Sequence, residues 1–168
     1  KELSNRDYLT GLYNRRFFAE EATRAIALTL RNNSKFSIIT MDIDKFKNIN
    51  DTYGHAVGDL VIISVAQKLQ ELVRKSDIPA RFGGEEFVLL LYDISAENAM
   101  NVAENMRKII ENLESKFEDN IIKFTVSFGV AQFDTFKDNN NIEHTILRAD
   151  KALYQAKNNG RNNVVLAK

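Results

Sequence analysis

Two pairs of carboxylates in this sequence are spaced for work on a cation. Asp42 and Asp44 stand at the end of the β-branched and aromatic run FSIITMDI, and Glu85 and Glu86 stand in RFGGEEFVLL, between a glycine pair and an apolar stretch. A carboxylate set against core is costly unless a cation or a set of donors meets it. Left in water, both pairs are ordinary turn residues. If the strands carrying them are neighbours, Asp42 and Glu85 or Glu86 could share one or two magnesium ions. Magnesium takes a few carboxylates and completes its octahedron with water and phosphate oxygens. Two such ions roughly 3.5–4 Å apart serve an in-line phosphoryl or nucleotidyl transfer. Gly83 and Gly84 favour a ligand here, because without side chains they let one approach the backbone closely.

A triphosphate also needs cations and free amides. DIDKFKN reads as a strand end turning into a helix, with amides that can point at an anion and with Lys47 on the turn. AKNNGR places Lys157 and Arg161 around a helix terminus. Arginine grips phosphate bidentately and lysine acts as a point charge, although basic residues there also simply complement the helix dipole. No G-x-x-x-x-G-K-[ST] occurs, which excludes a P-loop enzyme. Asn50 and Asp59 are candidates to read a base. A carboxylate can accept from both N1–H and the 2-amino group of guanine, an edge that adenine lacks, and a site built on those bonds rejects the wrong base. Asp59 reads equally well as the N-cap of the helix that follows.

These residues need elements to hold them. Phe17, Phe18, Ala22, Ala25, Ile26 and Leu28 recur at helical spacing and predict a helix over about 14–30. FSIITMDI predicts a buried strand. DKFKNINDTYG predicts a turn and a short helix stopping at Gly54, and a second amphipathic helix follows over about 59–75. Residues 78–82 and 86–92 predict a β-hairpin around the glycine pair. Ser95 caps a helix expected to run to about 117. Residues 121–133 predict one long strand, 142–158 the last helix with Gly160 as its cap, and NVVLA a final short strand. Hairpin strands beside helix-linked strands point to an α/β or α+β domain, a mixed central β-sheet flanked by helices. Helical bundles and all-β sandwiches fit poorly.

Composition narrows the function classes. The 168 residues suit a single domain, and 44% hydrophobic residues suffice for a full core. Lys plus Arg is 23 and Asp plus Glu is 23, a net charge of zero that argues against a general nucleic-acid or membrane-surface binder. With no cysteine there is neither a disulfide framework nor a thiolate metal site, and His55 and His144 are too far apart in sequence to suggest a histidine zinc site. No apolar run reaches the length of a membrane span and no signal peptide is evident, so a cytoplasmic domain without direct membrane contact is expected.

Taken together and in order, these segments are far more specific than any one motif. The chain resembles the GGDEF domain of diguanylate cyclases nearly end to end, with the GGEEF form of the signature at residues 83–87. DYLTGLYNRR resembles the opening motif of that family, DIDKFKNINDTYGHAVGD its metal and base segment, VSFGVA its later strand and ADKALYQAKNNGRN its closing helix. The resemblance implies a fold related to class III nucleotide cyclases and the polymerase palm. It implies condensation of two GTP into cyclic di-GMP with release of two pyrophosphates, by a homodimer using two magnesium (or manganese) ions per site. It also implies that residues 1–168 are one catalytic domain from the C-terminal part of a longer sensor protein, consistent with a sequence that opens at KELSNRDYLTG without methionine. Any membrane anchor would lie upstream.

Residue by residue, the resemblance implies that Asp42, the Ile43 carbonyl and Glu85 bind metal, with Glu86 a further ligand or catalytic carboxylate. Lys47, Lys157 and Arg161 would hold phosphates, Asn50 and Asp59 would recognise guanine, and Gly83 and Gly84 would admit the nucleotide. Leu9 would pack near the base. RKSD supplies Arg74 and Asp77 at the offset of the family's R-x-x-D product-inhibition site, a motif that is otherwise an ordinary i,i+3 ion pair. A silent domain that senses GTP or cyclic di-GMP is the alternative from the binding class, and a cyclase or polymerase for another nucleotide is the third.

Overall fold

The structure, a computed structural model, describes residues 4–168. Its elements run α1 (Arg15–Asn32), β1 (Phe36–Ile43), α2 (Phe46–Tyr53), α3 (His55–Leu72), β2 (Ile78–Gly83), β3 (Glu86–Tyr92), α4 (Ala96–Glu111), β4 (Ser115–Phe117), β5 (Asn120–Ile122), β6 (Val126–Gln132), α5 (Ile142–Asn158) and β7 (Val164–Leu166). Five strands form one sheet in the order β2-β3-β1-β6-β7. Every residue of β1 is buried, as its unbroken apolar run predicts for a central strand. It pairs antiparallel with β3 on one edge and β6 on the other, while β7 joins β6 in parallel.

Alternation along β1 divides the core in two. Ile38 packs with Phe18, Ala22 and Ala25 of α1 and with Ile146 and Ala149 of α5. Ile39, Met41 and Ile43 point to the other face, against α2, α3 and α4. The result is a mixed sheet covered by helices on both faces. On the first face α5 lies unusually close to β6. A Cβ built on Gly129 would stand 2.0 Å from the Ala149 carbonyl oxygen and 2.5 Å from the Leu153 amide nitrogen. No helix among the described residues is long and apolar enough to cross a membrane.

Three boundaries differ from expectation. Helix α3 begins at His55, with Gly54 (φ 90°) ending α2 and opening α3 in a single residue. Asp59 therefore sits in the second turn of α3, and the N-cap alternative is removed. Helix α4 has Ser95 as its N-cap, accepting from the Asn98 amide, but it stops at Glu111. The chain then makes a separate small hairpin, β4 with β5, and returns to the main sheet only at Val126, so 121–133 is not one strand. Phe117, Ile122 and Phe124 turn into the core on the α2–α4 face, which draws this segment out of the sheet.

Candidate active site

The hairpin is tied at both ends of its turn. Gly83 (φ 137°) and Gly84 (φ 49°) occupy conformations that side-chain-bearing residues rarely adopt, and they bring β2 round into β3. Arg81 donates from Nε to the Gly84 carbonyl at 3.0 Å and from its terminal nitrogen to both Asp7 oxygens, at 3.2 and 3.1 Å. Asp7 also accepts from the amide and hydroxyl of Thr10, at 2.9 and 2.8 Å. Burial alone would raise the Asp7 carboxyl, but the bonds from Thr10 and Arg81 outweigh it and hold its pKa below the usual carboxylate range. The opening motif and the signature turn are thus one hydrogen-bonded unit.

At the far side of that turn, Glu86 is the register partner of Asp42 across β1 and β3. Directly opposed residues in an antiparallel pair project to the same face of the sheet. Both side chains therefore emerge on the α1–α5 face, at the mouth of a cleft of about 380 Å³ also lined by Arg15, Phe82, Asp150 and Lys157. The Lys157 ammonium reaches across from the last turn of α5 and contacts Asp42 Oδ2. The Glu86 carboxyl has a raised pKa, first from partial desolvation and then from the negative charges of Asp42, Asp150 and Glu85; Lys157 opposes these. Asp150 is likewise raised, mainly by burial, with Thr40, Lys157 and Arg15 working the other way and Asp42 adding to the rise. Asp42, Glu86 and Asp150 all feel the one lysine, and Glu85 adds its charge beside Glu86.

That donor set suits a hard divalent cation. Among the described residues no three carboxylate or imidazole groups converge on one point, so a cation here would take few protein ligands. Magnesium accepts such a set, because it retains water and phosphate oxygens in the rest of its shell.

The base-reading candidates also meet. Asn50 of α2 lies against Gly58 of α3, where a Cβ would fall 1.9 Å from Asn50 Oδ1. Asp59, the next residue, is exposed beside it. Leu9 is partly buried against the core on this same α2–α4 face. Lys47 stands apart, solvent-facing and paired with Asp51 at 3.2 Å.

Arg161 opens on a second cleft, of about 450 Å³, bounded by α2, the β5–β6 connection and the turn after α5. Asp44 does not join Asp42. Its carboxylate is buried and accepts from Thr125 Oγ1 at 2.7 Å, Ser127 Oγ at 2.6 Å and the Asn162 amide at 3.0 Å. It anchors the turn that carries Arg161. Sequence reasoning missed this role, and it missed Asp150 and Arg81. The one local signal was the aspartate's position just past a strand end, beside a helix start.

Arg74 and Asp77 lie at the opposite end of β2, which a strand rise of about 3.3 Å per residue puts roughly 20 Å from the signature turn. Asp77 is buried and accepts from Arg74 at its amide (2.9 Å), Nε (3.2 Å) and terminal nitrogen (3.0 Å).

Comparison with known proteins matches this arrangement to a described family. The family profile "Diguanylate cyclase, GGDEF domain" matches residues 4–163. Diguanylate cyclase A of Treponema denticola is 41% identical over 170 residues, covering 99% of this chain and 45% of that protein. The chain spans less than half the length of the first curated relatives it matches. Among solved structures, the GGDEF domain of DgcB from Caulobacter crescentus in complex with c-di-GMP superposes with a TM-score of 0.92 at 32% identity, covering 100% of this chain and 96% of that one. The active GGEEF domain of a diguanylate cyclase from Vibrio cholerae superposes with a TM-score of 0.84 at 34% identity, covering 92% of this chain and 97% of that one.

Proposed function

Because the chain belongs to the GGDEF family of diguanylate cyclase domains, we propose that it condenses two GTP into cyclic di-GMP and two pyrophosphates, as the catalytic domain of a longer cytoplasmic or membrane-anchored signalling protein. The observation that carries this reading is the Asp42–Glu86 register, which sets two carboxylates side by side where a nucleotide can reach them.

In this reading Asp42, the Ile43 carbonyl, Glu85 and Glu86 hold two divalent cations, magnesium or manganese. When bound, such ions neutralise charge on the α-phosphate and lower the cost of presenting a 3′-oxygen as nucleophile. Lys157 and Arg161 take the outer phosphates, and Lys47, paired among the described residues with the solvent-exposed Asp51, can swing to assist. Asn50 and Asp59 accept and donate at the guanine edge, and the bare backbone of Gly83 and Gly84 leaves room above the hairpin. The 3′-oxygen of one nucleotide bonds to the α-phosphorus of the other. The bond from that phosphorus to its bridging oxygen breaks, and the electron pair leaves with pyrophosphate. The 3′-hydroxyl proton passes to a site carboxylate, with Glu86 the candidate.

Each domain holds one GTP, so forming both bonds requires two domains facing each other about a two-fold axis. Arg74 and Asp77, remote from the reacting atoms, bind the product and lower activity by holding domains apart from that pairing, a coupling between two sites. Incubation with GTP and magnesium at several protein concentrations, with product identified by mass, tests the reading. It expects cyclic di-GMP at a rate per protein that rises with concentration. Absence of turnover in a forced dimer would support a silent binding domain instead, and equal turnover of ATP would remove the guanine assignment.

A further inference from the structure

The turn that carries Arg161 is held by four elements, and one of them has no part in the reading above. Gly160 (φ 106°), Arg161 (φ 64°) and Asn162 (φ 48°) are three successive residues with left-handed backbone, a conformation uncommon outside glycine. Such a shape persists only where the surroundings impose it. The Asn163 side-chain amide ties the turn to the end of α5 by donating to the Ala156 carbonyl at 2.7 Å. The Asn163 carbonyl accepts from the Phe128 amide of β6 at 3.0 Å. The Asn162 amide donates to Asp44, just past β1, and to Ser127 Oγ of β6, at 3.0 Å in each case.

The fourth hold comes from α4, which carries none of the residues given a role in catalysis or nucleotide binding. Arg107, with its side chain 14% exposed, donates to Asn162 Oδ1 at 2.9 Å. Glu111, one turn further on, accepts from Asn162 Nδ2. Helix α4 thus matches both polar ends of one side chain, a donor to its oxygen and an acceptor to its nitrogen. Arg107 is itself fixed. Glu104 accepts from its Nε at 2.6 Å and from a terminal nitrogen at 2.9 Å, and Glu111 accepts from the other terminal nitrogen at 3.3 Å. A planar guanidinium bonded along both edges has little freedom to turn.

We propose that Arg107 and Glu111 are positioning residues for the nucleotide: by gripping the Asn162 side chain from α4, they hold the turn after α5 in the shape that presents Arg161 to the phosphate chain. The inference rests on the cyclase reading for the role of Arg161. Arg107 and Glu111 do not touch the nucleotide and act through Asn162. Loosening their grip therefore weakens the phosphate end of the ligand and spares the guanine end, whose candidates Asn50 and Asp59 stand on α2 and α3.

The test is calorimetric titration of 3′-deoxy-GTP and 3′-deoxy-GMP, which lack the nucleophile and so are not consumed, into wild type, Asn162→Gly, Arg107→Ala and the double variant with magnesium present. Asn162→Gly is the sharper variant. Glycine accepts left-handed backbone freely and keeps the amide that Asp44 and Ser127 hold, so only the α4 grip is cut. Its denaturant midpoint should stay near that of wild type. Each single variant should bind the triphosphate about tenfold more weakly and the monophosphate within about twofold of wild type. The double variant should be no worse than the weaker single one, because both changes cut the same link. A purely structural role would weaken both nucleotides alike. An equal loss for the monophosphate, unchanged triphosphate affinity in Asn162→Gly, or losses that add in the double variant overturns the proposal. If the variants lose the triphosphate selectively but wild type makes no cyclic di-GMP from GTP, the cyclase reading fails alone. If cyclic di-GMP is made and the variants bind the triphosphate as wild type does, the positioning role fails alone.

Discussion

Asp42 and Glu86 sit directly opposite one another across the β1–β3 ladder and leave the sheet on the same face. Their carboxylates are neighbours because two strands pair in one register and no other. A slip of one residue would send one of them to the opposite face. Lys157 only partly offsets the repulsion between them, and the Glu86 carboxyl is raised first by partial desolvation and then by the charge of Asp42.

Replacing Glu86 by Gln should abolish turnover and stabilise the cation-free protein. The folded state raises the Glu86 pKa, so it binds this proton more tightly than the unfolded chain does. The stabilisation from that proton is complete at acid pH and is lost as pH rises through the raised folded value. Gln mimics the protonated form. Thermal melts should therefore show the variant pulling ahead of wild type as pH rises from the ordinary carboxylate range, then holding a constant lead. Added magnesium should narrow the gap by stabilising wild type more. A variant that melts below wild type at neutral pH would contradict this account.

Gly58→Ala tests the base site without touching a polar group. The new methyl would meet Asn50 Oδ1 at 1.9 Å, so the amide must move. We expect KM for GTP to rise about tenfold, the loss of roughly one good hydrogen bond, with kcat nearly kept and the preference over ATP reduced. Steady-state kinetics on both nucleotides would measure it; an unaltered GTP/ATP ratio would detach Asn50 from base selection.

Gly129→Ala should act on stability. Here the obstructing atoms are backbone, the Ala149 carbonyl and the Leu153 amide, and cannot rotate away. Helix α5 must lift from β6, at a cost of about 2–3 kcal/mol as in other overpacked cores. The denaturant midpoint should fall with little change in slope. A midpoint within error of wild type would mean that the contact relaxes freely.

Arg74→Ala should relieve inhibition by cyclic di-GMP and leave the rate at low product unchanged. The Arg74 side chain is 53% exposed and can exchange partners, whereas that of Asp77 is 3% exposed and also receives the Arg74 amide and the Tyr92 amide. Asp77→Ala should therefore cost stability as well, of order 1–3 kcal/mol for the donors it strands. Progress curves with added product would separate the two; inhibition that persists in Arg74→Ala would make the pair structural only.

The parts of the molecule legible in the sequence were those governed by local rules. The unbroken run 36–43 marked a central strand, the glycine pair marked the hairpin, and Asn50 and Asp59 fell on the two helices that face each other. The rest depended on distant partners. Nothing near Asp44 announces that Thr125, Ser127 and Asn162 will surround it, so its closeness to Asp42 in the sequence does not reflect its place in the fold. Lys47 attracted notice as the lysine in the motif, yet the left-handed backbone at Lys45 is what sets the neighbouring lysine on the cleft. The β4–β5 hairpin was hidden because Ile121 to Phe133 reads as continuous strand by propensity, while burial of Ile122 and Phe124 elsewhere breaks it.

Strand order sets the two acidic residues at unequal distances from the margin of the sheet. Asp42 belongs to a strand bonded along both edges, so shifting it means breaking two ladders at once. Glu86 also belongs to a strand bonded along both edges, but its outer neighbour β2 is the last strand of the sheet and is braced from outside by Tyr13 and by the Arg81–Asp7 pair. The spacing of the jaws on the Glu86 side thus leans on the opening segment: β1 is the anvil, and the residues that brace the hairpin set the gap.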